Sequence, residues 1–147
     1  MPATPRELQK LADEIAQHCL CQRARQLSRN VTALYDHALV PLNLTANQFT
    51  VLVMLAAVGP VRQGRIGQIL TMDKSTVSRT VGRLARMGHV QTAAGDDGRQ
   101  RRVALTAHGR QAVRRGWALW RRAQQEANKA LGPDLTAALS RLGPLED

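Results

Sequence analysis

Apolar residues recur at three- and four-residue steps along most of the chain, a spacing that predicts mainly helical structure. A long helix is predicted over residues 5–40, and its apolar stripe shifts near Cys19, so we expect a bend or a change of packing partner there. Pro41 closes this helix because proline disfavours helical backbone in the residue before it. Thr45 is then expected to cap a mostly buried helix over 46–57.

Two shorter helices with a tight link between them are predicted next. The first covers 62–70, and the second begins after Asp73, a good N-cap, and stops at Gly88, since glycine adopts left-handed backbone easily. The apolar positions of the second helix repeat at i, i+4 and i+7 and are Val77, Val81 and Leu84. Two short helices joined in this way are typical of a helix-turn-helix unit.

The opposite face of the second helix carries only small polar and cationic side chains. They are Ser75, Thr76, Ser78, Arg79, Arg83 and Arg86. Short hydroxyls can approach base edges in a DNA major groove, and guanidinium groups can bind guanine or phosphate. A solvated surface is the ordinary alternative for an isolated helix of this kind, but the whole order of capped helix pair and basic hairpin favours DNA.

A hairpin with a cationic tip follows the helix pair. Strand-like runs are predicted at 89–93 and 102–105, on either side of the polar segment 95–101. The combination predicts a winged helix-turn-helix in which the hairpin, or wing, makes a second and shallower DNA contact.

These segments resemble the MarR family of bacterial regulators. The wing has the family's form Asp-x-Arg-x-x-x-Val-x-Leu-Thr-x-x-Gly, present as Asp97-Gly-Arg99-Gln-Arg-Arg-Val103-Ala-Leu105-Thr106-Ala-His-Gly109, and the segment from Met72 to Arg79 with Arg83-Leu84 is also similar. The resemblance implies one mainly α domain over 1–147 with a small β-hairpin wing. In it, 45–105 form the DNA-binding lobe, and 5–40 and 106–147 form long terminal helices of a dimerisation layer.

The second half of this layer begins at Thr106, which is expected to cap a helix that extends to about 131. Five of its residues share one side and are Val113, Trp117, Trp120, Ala127 and Leu131. Gly132-Pro133 interrupts the pattern before a last amphipathic helix. These helices could complete a monomeric core, but family members dimerise through them, and a two-fold dimer would place its recognition helices about 34 Å apart on a pseudo-palindrome.

The charge distribution agrees with a polyanionic partner. The chain carries 21 Lys and Arg against 11 Asp and Glu, a formal charge of +10, and residues 62–102 hold nine basic against three acidic side chains, or +6 of that total. No apolar run approaches the ~20 residues of a membrane span and no segment resembles a signal peptide, so we expect a cytoplasmic protein without a membrane partner.

The two cysteines suggest a sensor. Cys19 and Cys21 both fall in the first predicted helix, where side chains two residues apart point in nearly opposite directions and cannot easily form a disulfide. A guanidinium one turn on from each thiol favours reactivity with oxidants. Cys21, Ser28-Arg29 and Tyr35 also resemble the organic-hydroperoxide-sensing branch of the family, although Arg25 and Ala46 stand where that branch has tyrosines.

Three interpretations of the sensor stay open. The cysteines could form a thiol switch for an oxidant, an electrophile or a soft metal, with Cys19, Cys21 and Tyr35 as candidate residues. A small molecule could instead bind between the dimer layer and the DNA-binding lobe, or the cysteines could be buried and inert. A structural zinc site is not expected, because His18, Cys19, Cys21 and His37 lack the spacing of known zinc motifs.

The sequence therefore predicts a homodimeric transcription regulator, a repressor that a ligand or cysteine modification releases from double-stranded DNA. The predicted DNA-binding residues are Lys74, Ser75, Thr76, Ser78, Arg79, Arg83, Arg99 and Arg101. An enzyme is not expected, since no nucleotide-binding glycine loop, nucleophile elbow or metal-binding His-Glu helix is present, and no cofactor is implied. The alternative is an architectural protein that binds DNA without regard to base order.

Overall fold

The computed structural model describes residues 4–94 and 101–142. Residues 95–100, which include the predicted wing tip with Arg99, lie outside the described part of the chain. The molecule divides into two compact units, Met1–Ala33 and Leu34–Asp147.

The first unit contains a helix break that corrects one sequence prediction. Helix α1 spans Pro5–His18 and α2 spans Leu20–Leu39, so the single helix predicted over 5–40 is two helices. Cys19 between them has extended backbone, with φ −68° and ψ 102°. Its amide still donates to the Ile15 carbonyl and its carbonyl accepts from the Arg23 amide, so both helices keep their terminal hydrogen bonds across the break. The expected bend near Cys19 is confirmed, but Cys19 itself is not helical.

Helix α3, Ala46–Val58, is the core helix of the second unit. Thr45 and Gln48 form a reciprocal capping box at its start, so the predicted cap is confirmed. Val51 and Leu52 have no exposed surface, and Phe49 and Leu55 are also buried. Helix α3 packs against the helices Lys74–Arg86 and Ala107–Arg141 and against the strand Arg101–Leu105.

Two further helices and a three-stranded antiparallel sheet follow in the second unit. Helix α4 spans Gln63–Leu70 and α5 spans Lys74–Arg86. Strands β1, β2 and β3 are Val61–Arg62, Val90–Ala94 and Arg101–Leu105, in the order β1-β3-β2. The two wing strands confirm the predicted hairpin. Strand β1 was not predicted: Arg62, which we assigned to the start of a helix, pairs with Arg102.

Helix α6 spans Ala107–Arg141 and has an interruption where the sequence predicted one. Gly132 has left-handed backbone (φ 75°, ψ 167°), and Pro133 follows it. On the predicted apolar side, Val113 and Trp120 pack against the core and Ala127 is buried in the single chain, whereas Trp117 is 58% exposed. Only part of that side is therefore free to contact a second chain.

No single helix among the described residues is both long and apolar enough to cross a membrane. The segments Leu20–Leu42 and Ala46–Val58 reach the required composition only when counted together, and they are bent by 74°.

Candidate nucleic-acid interface

The link between α4 and α5 is short because the backbone at Met72 lies close to the backbone at Gly67. Thr71 ends α4 in left-handed backbone (φ 52°), and the Met72 amide donates to the Gly67 carbonyl over 2.9 Å. A Cβ atom on Gly67 would lie 2.7 Å from the Met72 carbonyl oxygen, closer than packing allows. A glycine is therefore required at position 67 for the two helices to meet at this angle.

The packing of α5 determines which of its faces is accessible. Val77, Val81 and Leu84 are 2%, 3% and 0% exposed, so the predicted apolar stripe is confirmed. The opposite face is in solvent, and its exposed predicted residues are Lys74, Ser75, Ser78, Arg79 and Arg83. Thr76 is half-buried at the edge of this face.

The first turn of α5 contains a hydrogen-bond network centred on Asp73. The Ser75 hydroxyl donates to Oδ1 of Asp73 over 2.6 Å, and the Thr76 hydroxyl donates to Oδ2 over 2.6 Å. The Thr76 amide also donates to Oδ1, at 2.9 Å, which confirms Asp73 as the N-cap. These donors, the Ser75 hydroxyl first, hold the pKa of Asp73 well below its usual range. The sequence identified the cap but not the use of both hydroxyls.

The other end of α5 is tied to α6. Gly88 has left-handed backbone (φ 74°), as predicted, and the His89 amide donates to the Leu84 carbonyl over 2.9 Å. The Thr106 hydroxyl donates to the Gly88 carbonyl at 2.6 Å, while its oxygen caps α6 by accepting from the Gly109 amide at 3.0 Å. One threonine thus joins the end of the recognition helix to the start of α6.

His89 at this junction is a buried titratable group. It is 4% exposed, and its ring stacks on His108 with centroids 4.4 Å apart. Burial lowers the pKa of His89, and the charge of His108 lowers it further. Both histidines therefore pack against each other at the wing junction.

The structure brings two of the predicted cationic residues to one cleft. Lys74 from α5 and Arg101 from β3 line a cleft of about 750 Å³, together with Gln63, Gln68 and residues of the α4–α5 link. Arg101 is exposed at the base of the wing. Arg99 lies outside the described residues, so its predicted place at the wing tip is not tested.

The candidate sensor residues fall in different units of the molecule. Cys19, half-buried at the helix break, and Cys21, exposed in α2, belong to the first unit. The predicted continuous helix around Cys19 and Cys21, which disfavoured a bond between them, is wrong because Cys19 has extended backbone. Tyr35 belongs to the second unit, where its hydroxyl donates to Oε1 of Gln124 over 2.6 Å. The sequence contained no signal for this partner, 89 residues away.

No metal centre is apparent in the described part of the chain. Residues 4–94 and 101–142 contain no group of three His, Cys, Asp or Glu side chains placed to hold a metal ion.

Comparison with known proteins agrees with this geometry. Residues 42–100 match the model of the MarR family. Over this segment the chain is similar to the MarR family. Among its relatives is YwoH of Bacillus subtilis (strain 168), an uncharacterized HTH-type transcriptional regulator, which is 34% identical over 87 residues. The alignment covers 59% of this chain and spans 64% of the length of YwoH.

Solved structures extend the likeness beyond the matched segment. The Mycobacterium tuberculosis transcriptional regulator MOSR, in complex with DNA, has a TM-score of 0.72 and 29% identity, over 85% of this chain and 100% of that one. The transcriptional regulator PcaV from Streptomyces coelicolor, in complex with its natural ligand, has a TM-score of 0.74 and 26% identity, over 95% of this chain and 92% of that one. The winged-helix fold predicted from the sequence is thus confirmed.

Proposed function

We propose that the chain is a transcription regulator that binds double-stranded DNA in a sequence-specific manner, in the cytoplasm. The observation that carries the proposal is the solvent-facing side of α5, where hydroxyls and guanidinium groups stand together on a helix whose other side is anchored in the core. Such a face fits a major groove. The DNA complex of MOSR supports the same partner for this chain.

Each predicted residue has a role in this proposal. Ser75, Thr76, Ser78 and Arg79 approach base edges, while Lys74 and Arg83 contact phosphates or bases. Arg101 supplies a phosphate contact from the base of the wing, beside Lys74. Arg99 is assigned to the minor groove on the sequence motif alone.

We place two copies of the chain on one operator. Contiguous apolar patches are unusual on a free surface, so the exposed apolar side chains on α1 and at the end of α6 support dimerisation. Those on α1 are Leu8, Leu11 and Ile15, those in the last turns of α6 are Leu135 and Leu139, and Leu142 directly follows α6. A two-fold dimer would bind a pseudo-palindrome with half-sites about 34 Å apart. Light scattering at working concentrations tests the dimer, and a monomer would contradict it.

Salt dependence separates this function from that of an architectural protein. A sequence-specific regulator retains a large preference for one site over random DNA at ~150 mM salt, whereas an architectural protein keeps only the electrostatic term. The experiment is to sequence the DNA fragments that the purified chain retains and to titrate the best fragment against a scrambled duplex. Equal affinity for both would reject sequence specificity.

Repression relieved by a small molecule is the regulatory part of the proposal. A largely apolar pocket of about 690 Å³ lies between α3 and α6 and is suited to such a ligand. Its lining includes Phe49, Val53, Trp117 and Trp120, with Arg114 as the cationic group. The ligand-bound structure of PcaV supports this mode of control. A bound ligand would shift the population toward states whose two recognition helices no longer fit successive turns of DNA.

A thiol switch is the second candidate for release, because the half-exposed Cys19 interrupts the helix two residues before the exposed Cys21. Modification of either thiol at this break can alter the first unit without opening a buried core. Cys21→Ser should abolish oxidant-driven release while leaving DNA binding intact. Unchanged release in that variant would reject the switch, and Cys19→Ser is the matched comparison.

A further inference from the structure

The hydroxyl groups on the first turn of α5 have a limited hydrogen-bonding capacity. A serine or threonine hydroxyl has one proton to donate and two lone pairs that accept. The protons of Ser75 and Thr76 both point at the Asp73 carboxylate, each over 2.6 Å. Only lone pairs are left to face outward.

These two hydrogen bonds are of a strong kind. An O–H donor to a carboxylate at 2.5–2.7 Å is about twice as strong as a neutral hydrogen bond. Asp73 stays ionised at neutral pH, since these donors and the Thr76 amide all favour its charged form. If either hydroxyl proton turned toward DNA, one carboxylate oxygen of Asp73 would lose a hydrogen bond while it lies beside the negatively charged phosphates.

The two hydroxyls are not equally free to accept. Thr76 is half-buried, and the Arg79 guanidinium lies 3.4 Å from its hydroxyl oxygen. Ser75 is exposed, and its hydroxyl oxygen has no second hydrogen-bond partner among the described residues. Ser75 is thus the residue whose lone pairs face solvent.

Resting on the proposed function, we infer that Asp73 makes Ser75 an obligate hydrogen-bond acceptor, which selects an exocyclic amino group of adenine or cytosine at its position in the operator. In the major groove those amino groups are the donors, whereas guanine N7 and O6, thymine O4 and adenine N7 accept. Phosphate oxygens are also acceptors. Because Ser75 has no free proton to donate, it cannot form a hydrogen bond to the DNA backbone. Asp73 is the positioning residue, and Ser75 is the specificity-determining one.

The test uses the full-length chain and the duplex it selects from a random library. Adenines are replaced one at a time by purine, and cytosines by pyrimidin-2-one, so that the amino group is lost from the major groove together with one base-pairing hydrogen bond. At the Ser75 position we expect binding to weaken roughly 2- to 12-fold, the range for one hydrogen bond. The same replacement should weaken binding of Ser75→Ala only by the effect of the lost base-pairing hydrogen bond, since the acceptor is already gone.

Asp73→Gly tests the positioning role, because glycine is tolerated as an N-cap and removes the carboxylate. With its proton free, Ser75 should accept or donate, so the variant should bind duplexes with guanine or thymine at that position nearly as well. Ser78, exposed on the same helix and outside the network, provides the control. Base preference at positions sensitive to Ser78→Ala should not change in Asp73→Gly.

This experiment distinguishes failure of the proposed function from failure of the inference about Ser75. If the wild-type chain selects no duplex at all, sequence-specific binding itself is wrong. If it selects one, but no amino-group deletion is coupled to Ser75, the inference is overturned and the proposed function stands. Coupling of Ser75 to an acceptor, seen with 7-deazaguanine in place of guanine, would overturn it in the same way.

Discussion

The two ends of α5 are held in place by different kinds of contact. At the first turn, Asp73 holds Ser75 and Thr76 through local hydrogen bonds in solvent. At the last turn, Leu84 has no exposed surface, and Thr106 ties the following residues to α6. Local bonds leave the first turn exposed to contact DNA, while tertiary packing at the last turn fixes the direction of the helix. Stability and base preference should therefore respond to different residues of one helix.

The largest expected effect is on the buried end. Leu84→Ala removes a fully buried side chain from the core and should lower the free energy of unfolding by about 2–5 kcal/mol. Chemical denaturation followed by circular dichroism measures it. Ser78→Ala, on the exposed face of the same helix, should change stability by less than about 0.5 kcal/mol. Equal losses of unfolding free energy in the two variants would contradict the assignment of stability to the buried residues of α5.

The exposed end should give the largest effect on DNA. Arg79→Ala should cost about 1–3 kcal/mol of operator binding and loosen sequence preference, because a guanidinium that contacts a base edge is lost. Arg86→Ala, at the other end of α5 and also exposed, is the matched control and should cost less. If Arg79→Ala weakened binding to all duplexes equally, its placement against the bases would be wrong.

The contrast between local contacts and tertiary packing also explains which features could be predicted from the sequence. The i, i+4, i+7 stripe of Val77, Val81 and Leu84 depends only on helical periodicity, and the caps depend on residue type, so both were predictable. A two-residue strand such as β1 has no periodicity of its own, and its pairing with β3 depends on residues 40 positions away. The donation of both hydroxyls to Asp73 depends on rotamers, which no spacing reveals.

The break at Cys19 is an intermediate case. A shift in the apolar stripe indicated a change of direction, but neither glycine nor proline marks the residue at which the helix stops. The extended backbone of Cys19 could therefore not be predicted from the sequence. Tyr35 and Gln124 similarly meet across 89 residues of sequence, and the local sequence does not encode that contact.

A smaller effect is expected at the junction with α6. Thr106→Val removes the hydroxyl that caps α6 and bonds the Gly88 carbonyl, so we expect a loss of about 1 kcal/mol in the free energy of unfolding. Thr106→Ser keeps the hydroxyl and should lose much less. If both variants lost equally, the methyl group rather than the cap would stabilise this junction.

The smallest effect should be on pH dependence. Because burial lowers the pKa of His89 in the folded chain, the unfolded chain takes up the proton first, and stability should fall as the pH drops below about 6.5. His89→Gln should reduce this slope between pH 5 and 7.

The first turn of α5 behaves differently. Because the pKa of Asp73 is lowered in the folded chain, its contribution to the free energy of unfolding is intact until the pH falls below about 3.9, and Asp73→Asn should remove the loss of stability below that pH. Denaturation at a series of pH values measures both, and identical profiles for the variants and the wild type would contradict the assignments.

Competition binding at ~150 mM salt tests the central claim, that the exposed first turn of α5 recognises base order, most directly. The duplex that the chain selects competes against a scrambled duplex of the same length and composition. We expect the wild-type chain to prefer the selected duplex by a factor of about 10³ or more, and Arg79→Ala to lose much of that preference while unfolding at the same denaturant concentration. A wild-type chain that binds both duplexes equally, or a variant that keeps the full preference, would contradict the account.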